Sequence, residues 1–261
     1  MQLNLSGRIV VVTGGSRGIG LACARVFLDE GCKVGLIARD PVRLDAARSE
    51  LAAGPDRLAT HAADLADPAA AAASIAAVEE RFGPADVLVN SAGAARRCSP
   101  DELSPAVYRR AMDAKYFPYI NAIEAVIKGM ASRARGVIVN IIGSGGKTAS
   151  STHIAGGAAN AALMLVTAGL AAAYAPQGLR IMAINPGLTL TSRLEEGMAV
   201  EARLSGTTVE EVSRRALGRV PMGRFARPEE IARVAAFLAS DAASYVTGCA
   251  IPMDGAAVPM I

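Results

Sequence analysis

A β-rich apolar run at residues 8–13 ends in Thr13-Gly14-Gly15-Ser16-Arg17-Gly18-Ile19-Gly20, and the next segment, 19–30, carries Leu21, Val26 and Phe27 at helical spacing. A strand that turns through glycines directly into a helix narrows the possible folds sharply. Glycine permits the tight turn and a close backbone approach, and the helix start that follows offers unpaired N–H groups to negative charge in front of it. The Gly-x-x-x-Gly-x-Gly spacing differs from the commoner Gly-x-Gly-x-x-Gly form. Taken alone, the turn fits a structural bend as well as a phosphate cradle.

The rest of the chain repeats the strand-then-helix rhythm. Short apolar runs at 33–38, 58–62, 86–90, 136–142 and 179–185 alternate with helix-patterned segments at 42–53, 68–82, 105–130, 154–175 and 228–239. Continuous apolar strands separated by helices of ten or more residues imply parallel pairing with helices on both faces. Right-handed crossovers then give an α/β, doubly wound parallel sheet, a Rossmann-like three-layer α/β/α arrangement. All 261 residues fit one such domain. Residues 188–220 break the rhythm, being richer in charge and poor in strand character. An excursion after a late strand is either a surface helical insertion or a substrate lid.

Composition closes off other classes. Apolar residues make up 52% of the chain and Trp is absent, so the core is aliphatic, and a net charge of +3 includes no basic run able to track nucleic acid. Residues 1–8 lack the basic and apolar regions of a secretory signal. The weakly polar stretch 161–175 is shorter than the ~20 residues of a bilayer span and reads as a buried or interface helix, so no membrane is expected. Cys23, Cys32, Cys98 and Cys249 form no Cys-x-x-Cys pair, and with His61 and His153 they make no metal cluster. Reduced cysteines fit a cytoplasmic setting. Gly145-Gly146-Lys147-Thr148 imitates the end of a P-loop, but the first required glycine falls on Ile141.

The Thr-Gly-x-x-x-Gly-Ile-Gly turn resembles that of the short-chain dehydrogenase/reductase family, and further motifs extend the resemblance over essentially the whole chain. Asp64-Leu65 is similar to the family's adenine contact, Asn90-Ser91-Ala92-Gly93 to its Asn-Asn-Ala-Gly motif, and Asn185-Pro186-Gly187 with Thr191 to the segment closing over the nicotinamide end. Pro221-Met222-Gly223-Arg224, 228–232, Val246-Thr247-Gly248 and Asp254-Gly255 resemble its C-terminal part. The resemblance implies a nicotinamide dinucleotide held by Thr13, Gly14, Ser16, Arg17, Gly18, Ile19, Gly20, Asp64, Leu65, Asn90, Ala92, Gly93, Pro186, Gly187 and Thr191. NAD-binding relatives usually end the second strand in an acidic residue. Here Ala38 is followed by Arg39, and Arg17 lies in the glycine turn, which favours NADP(H) over NAD(H).

The family's usual tetrad is Asn, Ser, Tyr and Lys, with Tyr and Lys four apart on one helix face. Ser144 fills the Ser position. Counting back along the 154–175 helix puts Asn160 at the Lys position and Gly156 at the Tyr position, and Lys115 falls where Asn is expected. Asn and Lys are thus exchanged, and the phenol is missing. Either catalysis has been lost, leaving a silent dinucleotide-binding regulator or partner subunit, or the site has been rebuilt around Ser144, Lys115 and Asn160 with another acid. His153, titrating near neutrality, is the first candidate for that acid, ahead of Lys147 and Tyr116. The expected function is NADP(H)-dependent oxidation or reduction of a small alcohol or carbonyl. Small residues along 154–175 and the family's habits imply a homotetramer or homodimer.

Overall fold

A computed structural model of the protein describes residues 2–93 and 95–259, so Met1 of the N-terminal segment lies outside it. β1 (Ile9–Thr13) leads through the glycine turn into α1 (Gly18–Asp29), and β2 (Lys33–Ala38), α2 (Pro41–Leu51), β3 (Leu58–Ala62), α3 (Pro68–Phe82) and β4 (Val87–Asn90) complete the first half. The second half comprises α4 (Pro105–Ala111), α5 (Phe117–Ser132), β5 (Gly136–Ile141), α6 (Ile154–Tyr174), β6 (Leu179–Pro186), α7 (Ser192–Ser205), α8 (Val209–Leu217), α9 (Pro228–Ala239) and β7 (Ala250–Met253). The seven strands form one parallel sheet in the order β3-β2-β1-β4-β5-β6-β7. This is the expected doubly wound architecture.

The period of two along β1 builds the two core layers. Val10 and Val12 pack with Phe27, Ala235 and Leu238 from α1 and α9, whereas Val11 faces Ile75, Val126 and Ile127 from α3 and α5. Each side chain is fully buried or nearly so, which stabilises the fold by about 1.5–3 kcal/mol per large aliphatic or Phe side chain. The helix starts are encoded locally. Asp40 accepts from Val42 N and Arg43 N at 3.0 and 3.2 Å, Asp67 accepts from Ala69 N at 2.8 Å, and proline follows each as the first helical residue.

The structure departs from the sequence reading in three places. The single helix expected over 105–130 is interrupted by a π-helical turn, Met112–Tyr116. Pro118 has no N–H for Ala114 O, and Phe117 N bonds Met112 O instead. A seventh strand, β7, lies at the sheet edge, where Pro252 and partial exposure weaken its strand pattern. Finally, Ile154–Gln177 forms a helical stretch long and apolar enough to cross a membrane. Its inner face, with Leu163, Thr167 and Ala171, is buried, whereas Leu165 and Ala168 point outward.

Candidate functional site

The glycine turn is shaped by contacts that tolerate no side chain. Gly14 has φ +67°, and a Cβ there would stand 2.7 Å from the Ala92 backbone, while one on Gly20 would overlap Gly14 O. Gly18 has φ +57° and faces Thr191 Cγ2, so the turn touches the start of α7. Arg17 precedes α1 without a side-chain cap, and no acidic residue occupies the first turn. The leading N–H groups of α1 are therefore open to an anion. Ser16 and Ile19 are half-buried beside them.

Thr13 and Asn90 have no exposed surface, so they serve the cleft from beneath. Thr13 Oγ1 donates to Asn90 Oδ1 (3.1 Å) and accepts from Ser91 N and Ala92 N. Asn90 Nδ2 donates to Asn140 Oδ1 (3.0 Å), Asn140 Nδ2 to Thr167 Oγ1 (3.0 Å), and Thr167 Oγ1 to Leu163 O. Thr13, Asn90 and Asn140 stand opposite one another in the parallel register. The chain of bonds fixes the loop carrying Ala92 and Gly93. Gly93 has φ +110°, and a Cβ there would come within 2.6 Å of Ala114 O, the carbonyl that Pro118 leaves without its helical donor.

At the end of β2, Arg39 is exposed, whereas the neighbouring carboxylate of Asp40 is committed to capping α2 and to Arg43 at 3.2 Å. Arg17 turns toward α7, donating to Ser192 Oγ at 3.0 Å and Glu196 Oε1 at 2.9 Å. Such an exposed pair stabilises little and yields readily to a stronger anion. Asp64 is exposed and accepts from Ala66 N, and buried Leu65 is held through its carbonyl by Asn121 Nδ2. At the end of β6, Pro186 pairs with Met253, Gly187 abuts Asp254, and Thr191 caps α7 through Leu194 N. Asn185 is buried with its Oδ1 unpaired.

The residues proposed for catalysis converge around the end of β5. Ser144 opens a half-exposed turn, Ser144–Gly146. Asn160 is buried on α6, and its amide nitrogen lies 3.4 and 3.6 Å from where Cβ atoms on Gly143 and Gly145 would stand. Lys115 Nζ donates to Tyr119 Oη at 2.8 Å and to Ile141 O at 3.2 Å, and Tyr119 Oη donates to Ile141 O at 2.5 Å. Burial first, and the Arg193 guanidinium second, hold the Lys115 ammonium well below the usual lysine range.

His153 packs its ring directly against Gly156. A Cβ on Gly156 would overlap His153 Cε1 and lie 2.7 Å from both ring nitrogens, and one on Gly145 would lie 3.1 Å from Cδ2. The imidazole is thus wedged between two glycines, with Nδ1 buried and unpaired. Burial, then Arg97, Arg193 and Lys115, lower its pKa to about 4, away from the near-neutral value expected from sequence. Lys147 is exposed, and Tyr116 packs edge-on against Phe117. Tyr119, Asn140, Thr167, Arg97 and Arg193 escaped the sequence reading. The signal for Tyr119 was its place four residues after Lys115, on the same helical face. Among the described residues no group of His, Cys, Asp and Glu side chains could hold a metal ion.

A parallel sheet with a glycine turn at the end of β1 and polar residues gathered at the ends of β4, β5 and β6 defines a dinucleotide-binding α/β protein. A family profile described as Enoyl-(Acyl carrier protein) reductase matches residues 14–256. 2-(S)-hydroxypropyl-CoM dehydrogenase 3 of Xanthobacter autotrophicus is 36% identical over 98% of this chain and 98% of its own. Among solved structures, an actinorhodin polyketide ketoreductase with NADPH superposes with TM-score 0.93 at 29% identity, covering 97% of this chain and 98% of the other. An NADPH-bound short-chain oxidoreductase of Pseudomonas aeruginosa PAO1, described as containing an atypical catalytic center, gives TM-score 0.87 at 31% identity over 97% and 98%. The chain belongs to the short-chain dehydrogenase/reductase family.

Proposed function

We propose that the protein is an NADP(H)-dependent oxidoreductase acting on a small alcohol or carbonyl, with a proton relay rebuilt around His153. The open N-terminus of α1 and the glycine contacts suit a pyrophosphate. Arg39, beside a carboxylate already committed to capping, suits a 2′-phosphate. The bound nicotinamide supplies or receives the hydride. NADPH in the related structures supports the same choice.

The observation that carries the relay is the imidazole lodged against Gly156, where the side chain of a tyrosine would begin. Ser144 holds the substrate oxygen. Asn160 lies beside the glycine loop, and Lys115 with Tyr119 braces the end of β5 through Ile141 O. At neutral pH the imidazole is in its neutral form, the form able to accept the proton of an alcohol. The silent-binder alternative draws on the exchange of Lys115 and Asn160 and on the missing phenol.

Residues 188–220 are assigned as the lid. α7 and α8 share a small core of Met198, Ala202 and Val212, separate from the main layers. Their entry and exit are stapled by Leu190 N to Ala226 O (2.8 Å) and Ala226 N to Leu188 O (3.0 Å). The outward face of α6, with Ala158, Ala161, Leu165 and Ala168, is assigned to a homotetramer or homodimer contact. Stopped-flow recording of bound cofactor with alcohol and carbonyl panels tests the whole reading. Turnover abolished by His153→Gln with cofactor affinity retained is the expected result, and turnover indifferent to that change rejects the relay.

A further inference from the structure

Besides its burial, His153 feels Arg97, Arg193 and Lys115, each of which disfavours its protonated form. Arg97, on the loop after β4, donates through Nη1 to Thr152 Oγ1 at 2.9 Å, and its Nε lies 3.6 Å from where a Cβ on Gly197 would stand. Arg193 donates through Nη1 to Gly93 O at 2.6 Å. It sits in the first turn of α7, where the helix dipole opposes a cation. Lys115 lies buried behind them. Of the neighbouring carboxylates, exposed Glu196 pairs with Arg17, and half-buried Glu201 makes one long contact with Arg97 Nη1 at 4.0 Å. Among the described residues each guanidinium is anchored through one nitrogen, and a planar fork carries further donors.

We propose, building on the oxidoreductase reading above, that the substrate carries an anionic group, a carboxylate or sulfonate, held by Arg97 and Arg193 beside His153. Arg17, at the glycine turn, is the cation placed for the cofactor's phosphates. Arg97 is joined instead to Thr152, in the loop that leads into His153, and to Glu201 further along α7. A negative group seated there adds a counter-charge beside the imidazole and offsets the effect of the two guanidinium groups on it. Substrate binding would therefore restore the group's capacity to carry a proton.

The test is calorimetry on the full chain loaded with NADP+, titrated with 4-oxopentanoate and with its methyl ester. An oxo compound and oxidised cofactor form a complex that cannot turn over. The acid is expected to bind at least about tenfold tighter than the ester, with an advantage that shrinks as salt is raised. Arg97→Gln should bring the acid-to-ester ratio close to one, Arg97→Lys should keep part of it, and NADP+ affinity should stay within about twofold in both. Equal binding of acid and ester by the wild type with NADP+ bound would overturn the proposal alone. Loss of NADP+ affinity in Arg97→Gln, in step with loss of the acid, would reassign the arginine to the cofactor and also overturn it. A wild-type chain that does not bind NADP+ would overturn both this proposal and the reading beneath it.

Discussion

Lys115 Nζ donates to Tyr119 Oη at 2.8 Å across a π-helical turn, and both side chains are buried. Among the described residues no carboxylate partners either group, and the lysine donates to neutral acceptors, the phenol and Ile141 O. A buried ammonium left this way sheds its proton more readily than a solvated one.

Lys115→Met should therefore cost activity and not stability. We expect turnover to be lost and NADPH affinity to stay within about twofold. The stability comparison carries a definite sign. The folded-state pKa of Lys115 lies below its unfolded value, so the unfolded chain binds the extra proton. Wild-type stability should then rise relative to Lys115→Met as pH increases toward about 10.4 and level off above it. Denaturant melts of both proteins at several pH values measure the difference. A gap that widens in favour of the variant with increasing pH would contradict the burial argument.

Gly156→Ala tests whether position 156 must be empty. The added Cβ would overlap the His153 ring, which must leave its slot. Alanine is the better helix residue by about 1 kcal/mol, so the fold should not suffer. Turnover is expected to fall by ~10²–10⁴, the usual value of general acid–base assistance. An unchanged rate would show that the ring's position is incidental.

The acid limb of the pH–rate profile should report His153. Its pKa in the free protein is lowered to about 4, chiefly by burial and then by Arg97, Arg193 and Lys115. Only the neutral ring accepts a proton, so kcat/KM for alcohol oxidation should hold through neutrality and fall as pH drops toward 4. In His153→Gln that limb should vanish from whatever residual rate persists.

Cofactor preference should be set by Arg39. We expect NADPH to bind at least tenfold tighter than NADH, a difference of ~1.4 kcal/mol. Arg39→Asp should erase or invert the preference, because Asp40 is already committed to the α2 cap. The chain lacks Trp, so direct NADPH fluorescence reports binding without indole interference. Equal affinities for the two cofactors in the wild type would refute the assignment.

Assembly can be read from mass. Light scattering at micromolar concentration should give a tetramer or dimer, and Leu165→Arg on the exposed face of α6 should reduce it. A wild-type monomer would remove α6 as an interface.

Much of this architecture was readable from residue order, because strand length, glycine placement and capping residues act locally. β2, β3, α3 and α9 have the expected bounds. What escaped has separate physical causes. The π turn follows from Pro118 inside an otherwise ordinary helical pattern. β7 is an edge strand whose partner, β6, supplies the order its own residues lack. Tyr119 looked like core, and it is core, but its hydroxyl is what Lys115 needs. Nothing in His153 itself shows that its ring will occupy the space above Gly156. That follows from two glycines, at 145 and 156, brought together by β5 and α6.

The buried chain from Thr13 through Asn90 and Asn140 to Thr167 acts as a checksum on the sheet. Each side chain bonds the next, across β1, β4, β5 and α6. A one-residue slip of any of these strands would exchange its two faces and strand several polar groups in an aliphatic interior. Mispaired sheets of otherwise similar hydrophobicity would therefore be penalised at this row, directly beneath the cleft.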